Sequence, residues 1–272
     1  MLKASERLRV PLSEAECEAV RCVSRFSEGV MMIESDCLAY AESSGDEVCG
    51  LIIDGQRLWR CRNAHPDPAR NFRIGETDWL KAEAAGEITA VFHSHPEPKL
   101  VLSAADRVAQ ISTGIEWWLA SAGRLRKFRP VPHLLGRRFE HGVMDCYTLF
   151  RDAYHLCGID LPDFERTNGW WVRGENLYLK NMAANGFYEV SPADILPGDV
   201  IIRRAFPESD PCHAMLWLGD NTVLHHELAG RLSRREPYRQ ASVSLTHSIW
   251  RHEQCSSFDL RGISDDISAK SL

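Results

Sequence analysis

Residues 91–107, VFHSHPEPKLVLSAADR, leave this chain few choices, because an apolar run, a proline stop and a helix start follow one another there. The stretch ITAVFHSHP reads as a strand ended by Pro96, which has no N–H to give to a ladder. Ser103 with Asp106 three residues on reads as the cap of the helix that follows. Residues i and i+2 of a strand face the same way, so His93 and His95 present two imidazoles to one side. The loop after Pro96 is long enough to fold back and bring the Asp106 carboxylate to that pair. Two imidazoles and a carboxylate would leave a fourth position on a zinc ion for water, the layout of a catalytic site. Glu47, at the head of the buried-strand pattern EVCGLI, is the candidate general base. Taken separately, Ser103 and Asp106 make an ordinary capping box, and a His-x-His pair is an ordinary surface feature.

A second constellation lies further along. Cys146 opens the helical pattern DCYTLFRDAYHLCG, where the macrodipole and free backbone N–H groups favour a thiolate. His213 opens the strand HAMLWLGD, and His225 ends the strand TVLHHEL. A nucleophile, a base and a third polar group that orients the base make the layout of a cysteine peptidase. Cys212 is a rival nucleophile without the helix, and the thiolate of Cys157 would be disfavoured at a helix C-terminus. His226 competes with His225 for the orienting role, and strand alternation lets only one of them face the site. The bland alternative makes Cys146 one of nine buried cysteines.

At 272 residues and 44% hydrophobic content, the chain can build two domains, each with its own core. A net charge of -6 argues against a broad nucleic-acid footprint, so the clusters RRFEHG, IIRRAF and RLSRREPYR read as solvated faces. No stretch approaches the roughly 18 apolar residues of a membrane span. The N-terminus lacks the pattern of a secretory signal, so cytosolic synthesis is expected. With no Cys-x-x-Cys pair, the cysteines are expected to be reduced and mostly small buried hydrophobes.

The element pattern predicts an α+β fold in two domains. Residues 1–32 read as an N-terminal extension containing a short helix, LSEAECEAVRCVSRF. The first domain, 33–126, holds the helix IESDCLAYAES, a hairpin from VCGLIIDG to RLWRCRNA, and the helix TDWLKAEAAGE. A charged, proline-containing linker follows at 127–136. The second domain, 137–250, holds the Cys146 helix, a tryptophan-rich turn NGWWVRGENLYLKNMAANG, an LPGD turn and three strands. Residues 251–272 read as a polar tail.

Together, EVCGLI, HSHP and SAAD resemble the signature of the JAMM (MPN+) metalloproteases over about residues 33–125. That resemblance implies an α/β/α fold and a Zn2+ ion bound by His93, His95 and Asp106. It also implies Glu47 as base, Ser103 helping to hold a tetrahedral oxyanion, and hydrolysis of amide or isopeptide bonds. MDCYTL, LPGDVII and HAMLWLGDNTVLHH resemble the NlpC-type cell-wall peptidases over about residues 135–245. This implies a papain-like α+β fold with Cys146 as nucleophile, His213 as base and His225 as orienting residue. The implied substrate is the peptide stem of murein, cut between D-glutamate and a diamino acid. Where most of that family reads Asp-Cys-Ser-Gly, this chain reads Asp-Cys-Tyr-Thr, which separates its substrate preference from its chemistry.

The order of the two halves, with the entry LGRRFEHGVMDCYTLFRDAY, resembles the tail-tip assembly proteins of lambda-like siphophages. The partners so implied are peptidoglycan peptide stems and other phage tail-tip proteins, with no nucleic acid and no membrane span. The implied location is the host cytoplasm during assembly and then the virion tail tip. The alternatives are a structural tail-assembly factor with vestigial sites, or removal of a small ubiquitin-like tag.

Overall fold

The computed structural model describes residues 31–227 and 230–271. The helix expected in LSEAECEAVRCVSRF, and with it residues 1–30 of the expected extension, lie outside the described residues. The chain divides into two compact units: the described residues up to Pro98 with Ala120–Arg126, and Lys99–Leu119 with Lys127–Leu272.

In the first unit, helix α1 covers residues 31–42 and buries Ile33 and Cys37, which are four apart on one face. Strand β1 (Cys49–Ile53) is buried at every position, which its unbroken apolar run requires. It pairs antiparallel with β2 (Arg57–Cys61), Cys49 lying opposite Cys61. Asp54 and Gly55 join the two strands with φ of 54° and 67°, the backbone of a primed hairpin turn. Helix α2 (Glu76–Glu83) carries Glu76 and Asp78 in its first turn and Lys81 in its last, charges matched to its dipole. It ends before Gly86, where a Cβ would stand 2.5 Å from the Asp54 carboxylate. Strand β3 (Ile88–Ser94) runs antiparallel to β1 and sets His93 opposite Cys49.

Strands β4 (Glu116–Ser121) and β5 (Arg124–Phe128) complete a five-stranded sheet of order β2-β1-β3-β4-β5. Helix α3 (Ala104–Thr113) begins at Ser103 with both hydrogen bonds of the capping box in place. It is closed by Gly114 in the left-handed conformation.

The second unit contains helix α4 (Cys146–Leu156), helix α5 (Leu177–Ala184) and a six-stranded sheet. Its strands are β6 (Phe187–Val190), β7 (Val200–Arg204), β8 (Pro211–Gly219), β9 (Thr222–His225), β10 (Arg234–Pro237) and β11 (Thr246–His252). The order is β10-β9-β8-β7-β11-β6, and every pair is antiparallel. Short α6 (Gln240–Val243) and α7 (Arg261–Ala269) belong to the same unit, as does α3. Helix α4 packs across β8 and β9, which brings the head of the helix to the strands that carry the histidines.

Four expectations need correction. The tryptophan-rich stretch is a single 3-10 turn at Trp170–Val172 followed by α5, a helix in place of the expected turn. The expected polar tail contains α7, which buries Ile263, Asp266 and Ala269. Asp266 and Arg107 of α3 form a fully buried ion pair, with Arg107 Nη2 2.7 Å from Asp266 Oδ1. The stretch expected as a linker contributes Phe128, Val131 and Leu134 to the core and donates the Leu134 N–H to Asp266. The basic clusters are solvated faces only in part: Arg138, Arg231, Arg235 and Arg239 are exposed, but Arg137 is buried against Asp152 at 2.7 Å, and Arg203 and Arg234 pair with Glu227. Among the described residues, no helix is long and apolar enough to cross a membrane.

Candidate active site and metal centre

Asp145 fixes the position of Cys146. As N-cap of α4, its carboxylate accepts the Thr148 N–H at 3.0 Å with one oxygen. The other oxygen accepts the Gly142 N–H at 3.0 Å and Arg166 Nε at 2.7 Å. This capping locks Cys146 as the first helical residue, and it also places a negative charge beside the sulfur. Burial, and then Asp145, push the Cys146 thiol up to about 11. The thiolate expected from the helix dipole is therefore not the resting state. Opposing the shift are the Tyr178 hydroxyl, 3.0 Å from Sγ, and the backbone of Ala214.

His213, on β8, is buried, with Nε2 3.2 Å from Nδ1 of His225 on β9. His225 Nε2 lies 2.8 Å from Oε1 of Glu236 on β10, and Arg234 holds the other oxygen of that carboxylate at 3.0 Å. The tautomers follow from this chain of partners. An ionised carboxylate only accepts, so His225 Nε2 carries the proton and its Nδ1 accepts from His213 Nε2–H. His213 Nδ1 is then left with a lone pair. Burial, followed by the neighbouring Arg203 charge, holds His213 well below its ordinary 6.5, so it is neutral and able to take a proton.

Cys146, Tyr178 and His213 line one cavity of about 350 Å³, together with Arg203, Cys212 and His226. His225 stands behind His213, whereas His226 is in the cavity wall, edge-on to Phe139 at 5.3 Å. Cys157 is fully buried as the C-cap of α4. Among the described residues, Cys37, Cys49, Cys61 and Cys157 are buried and in no disulfide, and Cys255 is exposed. Two residues of the site escaped the sequence reading. Glu236 lies in RLSRREPYR, taken there for a solvated basic face, and Tyr178 in the stretch taken for a turn. Alternation along REP, which sets Glu236 and Arg234 on one side, was the available signal for the first. Nothing in the local pattern points to the Tyr178 hydroxyl.

In the first constellation, β3 ends with His93 buried and stacked on Phe72 at 4.7 Å. His95 lies just past the strand, its N–H donating to Ala120 O at 2.9 Å. The two Nε2 atoms are 3.3 Å apart. His93 and His95 belong to the first unit, and Asp106 belongs to the second. Two imidazole nitrogens and one carboxylate oxygen are by their chemistry the donor set of a zinc ion with one open position. Glu47 is buried, and its Oε1 is 4.0 Å from His95 Nε2. The Glu47 backbone is held by Pro68 O at 2.8 Å and Asn63 Nδ2 at 2.9 Å. Ser103 Oγ accepts the Asp106 N–H at 3.2 Å, while Asp106 Oδ2 accepts the Ser103 N–H at 2.8 Å. The capping box occupies one carboxylate oxygen of Asp106.

Residues 136–253 match the NlpC/P60 family, so the half that carries Cys146, His213 and His225 is an NlpC/P60 domain in a mixed α+β chain. Tail tip assembly protein K of Escherichia phage lambda is 50% identical over 194 residues, which span 71% of this chain and 96% of that protein. The protein of the same name from Escherichia phage N15 is 32% identical over 229 residues, 79% of this chain and 90% of its own. The chain belongs to the tail tip assembly protein K family. Among solved structures, an NlpC/P60 family protein from Bacillus cereus ATCC 10987 is 12% identical and covers 79% of this chain and 66% of its own, at a TM-score of 0.35.

Proposed function

We propose that this chain is a phage tail-tip protein whose NlpC/P60 domain hydrolyses the peptide stems of murein, with Cys146 as nucleophile and His213 as base. The observation that carries the reading is the single cavity shared by Cys146 and His213, backed by the relay from His213 through His225 to Glu236.

The thiol and the imidazole both start neutral. As sulfur attacks the stem carbonyl, the S–H proton passes to His213 Nδ1, and the new S–C bond makes an acyl enzyme once the amine leaves with that proton. His225 and Glu236 hold the ring in the tautomer this requires and stabilise the imidazolium while it lasts. Water, deprotonated by the same nitrogen, then releases the acid and regenerates the thiol.

His93, His95 and Asp106 would hold a Zn2+ ion, which when bound polarises a carbonyl and acidifies water. Glu47 would take a proton beside it, and Ser103 would donate to a tetrahedral oxyanion. The substrate class proposed for this half is an amide or isopeptide bond, in a tail protein or a murein crosslink. The second reading is a structural assembly factor, and the thiol pushed up to about 11 is the observation in its favour.

The test is a digest of purified murein by wild type, Cys146→Ala and Glu47→Ala, with products read by mass spectrometry. Stem-peptide fragments that vanish only in Cys146→Ala are expected. A digest without fragments from any of the three moves the assignment to the assembly factor.

A further inference from the structure

The capping of α4 raises a problem that the cavity itself answers. Asp145 satisfies the head of the helix with a negative charge, so the dipole that would normally support a thiolate at Cys146 is offset at its source. The charge that develops on sulfur needs donors from elsewhere. Tyr178 meets that need geometrically: its hydroxyl is 3.0 Å from Sγ, and its ring is wedged beside Trp170 and Phe150 at 5.8 and 6.5 Å. It is almost fully buried.

We infer that Tyr178 is a catalytic residue, donating a hydrogen bond to Cys146 Sγ as the thiol surrenders its proton. This rests on the reading of Cys146 as the nucleophile. The proton itself goes to His213, and Tyr178 keeps its own. Burial, and then the adjacent Cys146, hold the Tyr178 hydroxyl well above its ordinary 10, so it remains a donor throughout the working range. The other groups that act on the sulfur are Asp145 at the head of α4, and Cys212 and the Ala214 backbone on β8; His213 shares the cavity wall with it. Arg166, which bears on Tyr178, is committed to Asp145 and Asp163.

The sequence departure at the helix start is consistent with this arrangement. The residue after Cys146 is Tyr147, whose hydroxyl donates to Pro162 O and whose ring packs against Phe164 at 4.1 Å, away from the sulfur. Neither it nor Thr148, bound to Asp145, supplies a donor to Sγ. The donor comes from α5 instead.

The experiment is Tyr178→Phe in the full chain, which keeps the ring and removes only the hydroxyl. Iodoacetamide labelling of the Cys146 peptide is followed against pH by mass spectrometry, with Cys146→Ala as background. A weakened donor lowers the thiolate fraction and raises its intrinsic nucleophilicity by less, so labelling at neutral pH should slow by about three- to tenfold. With murein fragments, kcat should fall on the order of ten- to a hundredfold, the size of one hydrogen bond to a charged group, with KM little changed. Labelling that is unchanged or faster in Tyr178→Phe overturns the inference, since the hydroxyl would then be inert or would restrain the thiol. Labelling needs no murein, so this result stands apart from whether murein is the substrate.

Discussion

At the residue scale, the candidate cysteine site holds its histidines in one tautomer. Glu236 sets that tautomer from two residues away, and an amide there can offer either a donor or an acceptor to His225. Glu236→Gln should therefore lower kcat on the order of ten- to a hundredfold, within the ~10²–10⁴ that general-base catalysis supplies in total. KM should hold, and a variant with unchanged kcat would remove Glu236 from the relay. The pH dependence follows from His213. Its folded value is lowered, so it stays a competent base as pH falls through 6.5, and murein cleavage should persist there, fading only in more acid solution. An acid limb at or above 6.5 would contradict the burial argument. The linked stability has the same sign: below 6.5 the unfolded chain takes up a proton that folded His213 refuses, so stability is complete above 6.5 and declines as pH drops from there. At the proposed zinc ligands, His95→Ala should abolish bound zinc, measured by elemental analysis, while leaving labelling of Cys146 unchanged. Zinc retained in that variant would refute the ligand assignment.

At the element scale, what could be read in advance was what local chemistry decides. The Asp54-Gly55 turn, the strand stopped before Pro96 and the helices opening at Ser103 and Cys146 were all legible, because each is set by a backbone constraint or a cap within a few residues. Other elements were not. Strand β10, with sequence RREP, is short and charged, and it is a strand because it lies on the edge of a sheet and pairs only with β9. Strands β6 and β11 lack clean alternation. Helix α7, with sequence RGISDDISA, has weak helix formers and no side-chain cap; tertiary packing and the Asp266 pair sustain it. That account is testable. Asp266→Ala strands the Arg107 charge in the core and should cost about 3–5 kcal/mol in urea unfolding, whereas Arg107→Met with Asp266→Leu should cost much less. Equal losses in the single and double variants would mean that the helix depends on something other than relief of a buried charge.

At the scale of the whole molecule, the candidate cysteine site was legible as Cys146, His213 and His225, because helix start and strand ends carry them. The second tier, Glu236 and Tyr178, depends on which elements lie beside which, and no short-range pattern encodes that. The same holds for His226, which strand alternation left as a rival and which the folded chain places on the cavity wall. The two constellations should operate independently. Cys146→Ala should end stem cleavage with zinc content unchanged, and zinc lost along with the thiol would show that they are coupled.

The Arg107–Asp266 pair also has a temporal side. The two residues are 159 positions apart, so on a ribosome adding about 5–20 residues per second the arginine is made roughly ten to thirty seconds before its partner. Throughout that interval α3 has no counter-charge from α7 to settle against. The unit that holds Cys146 and His213 can close only after α7 has been synthesised, so the candidate cysteine site stays incomplete for a time after its own residues have been made.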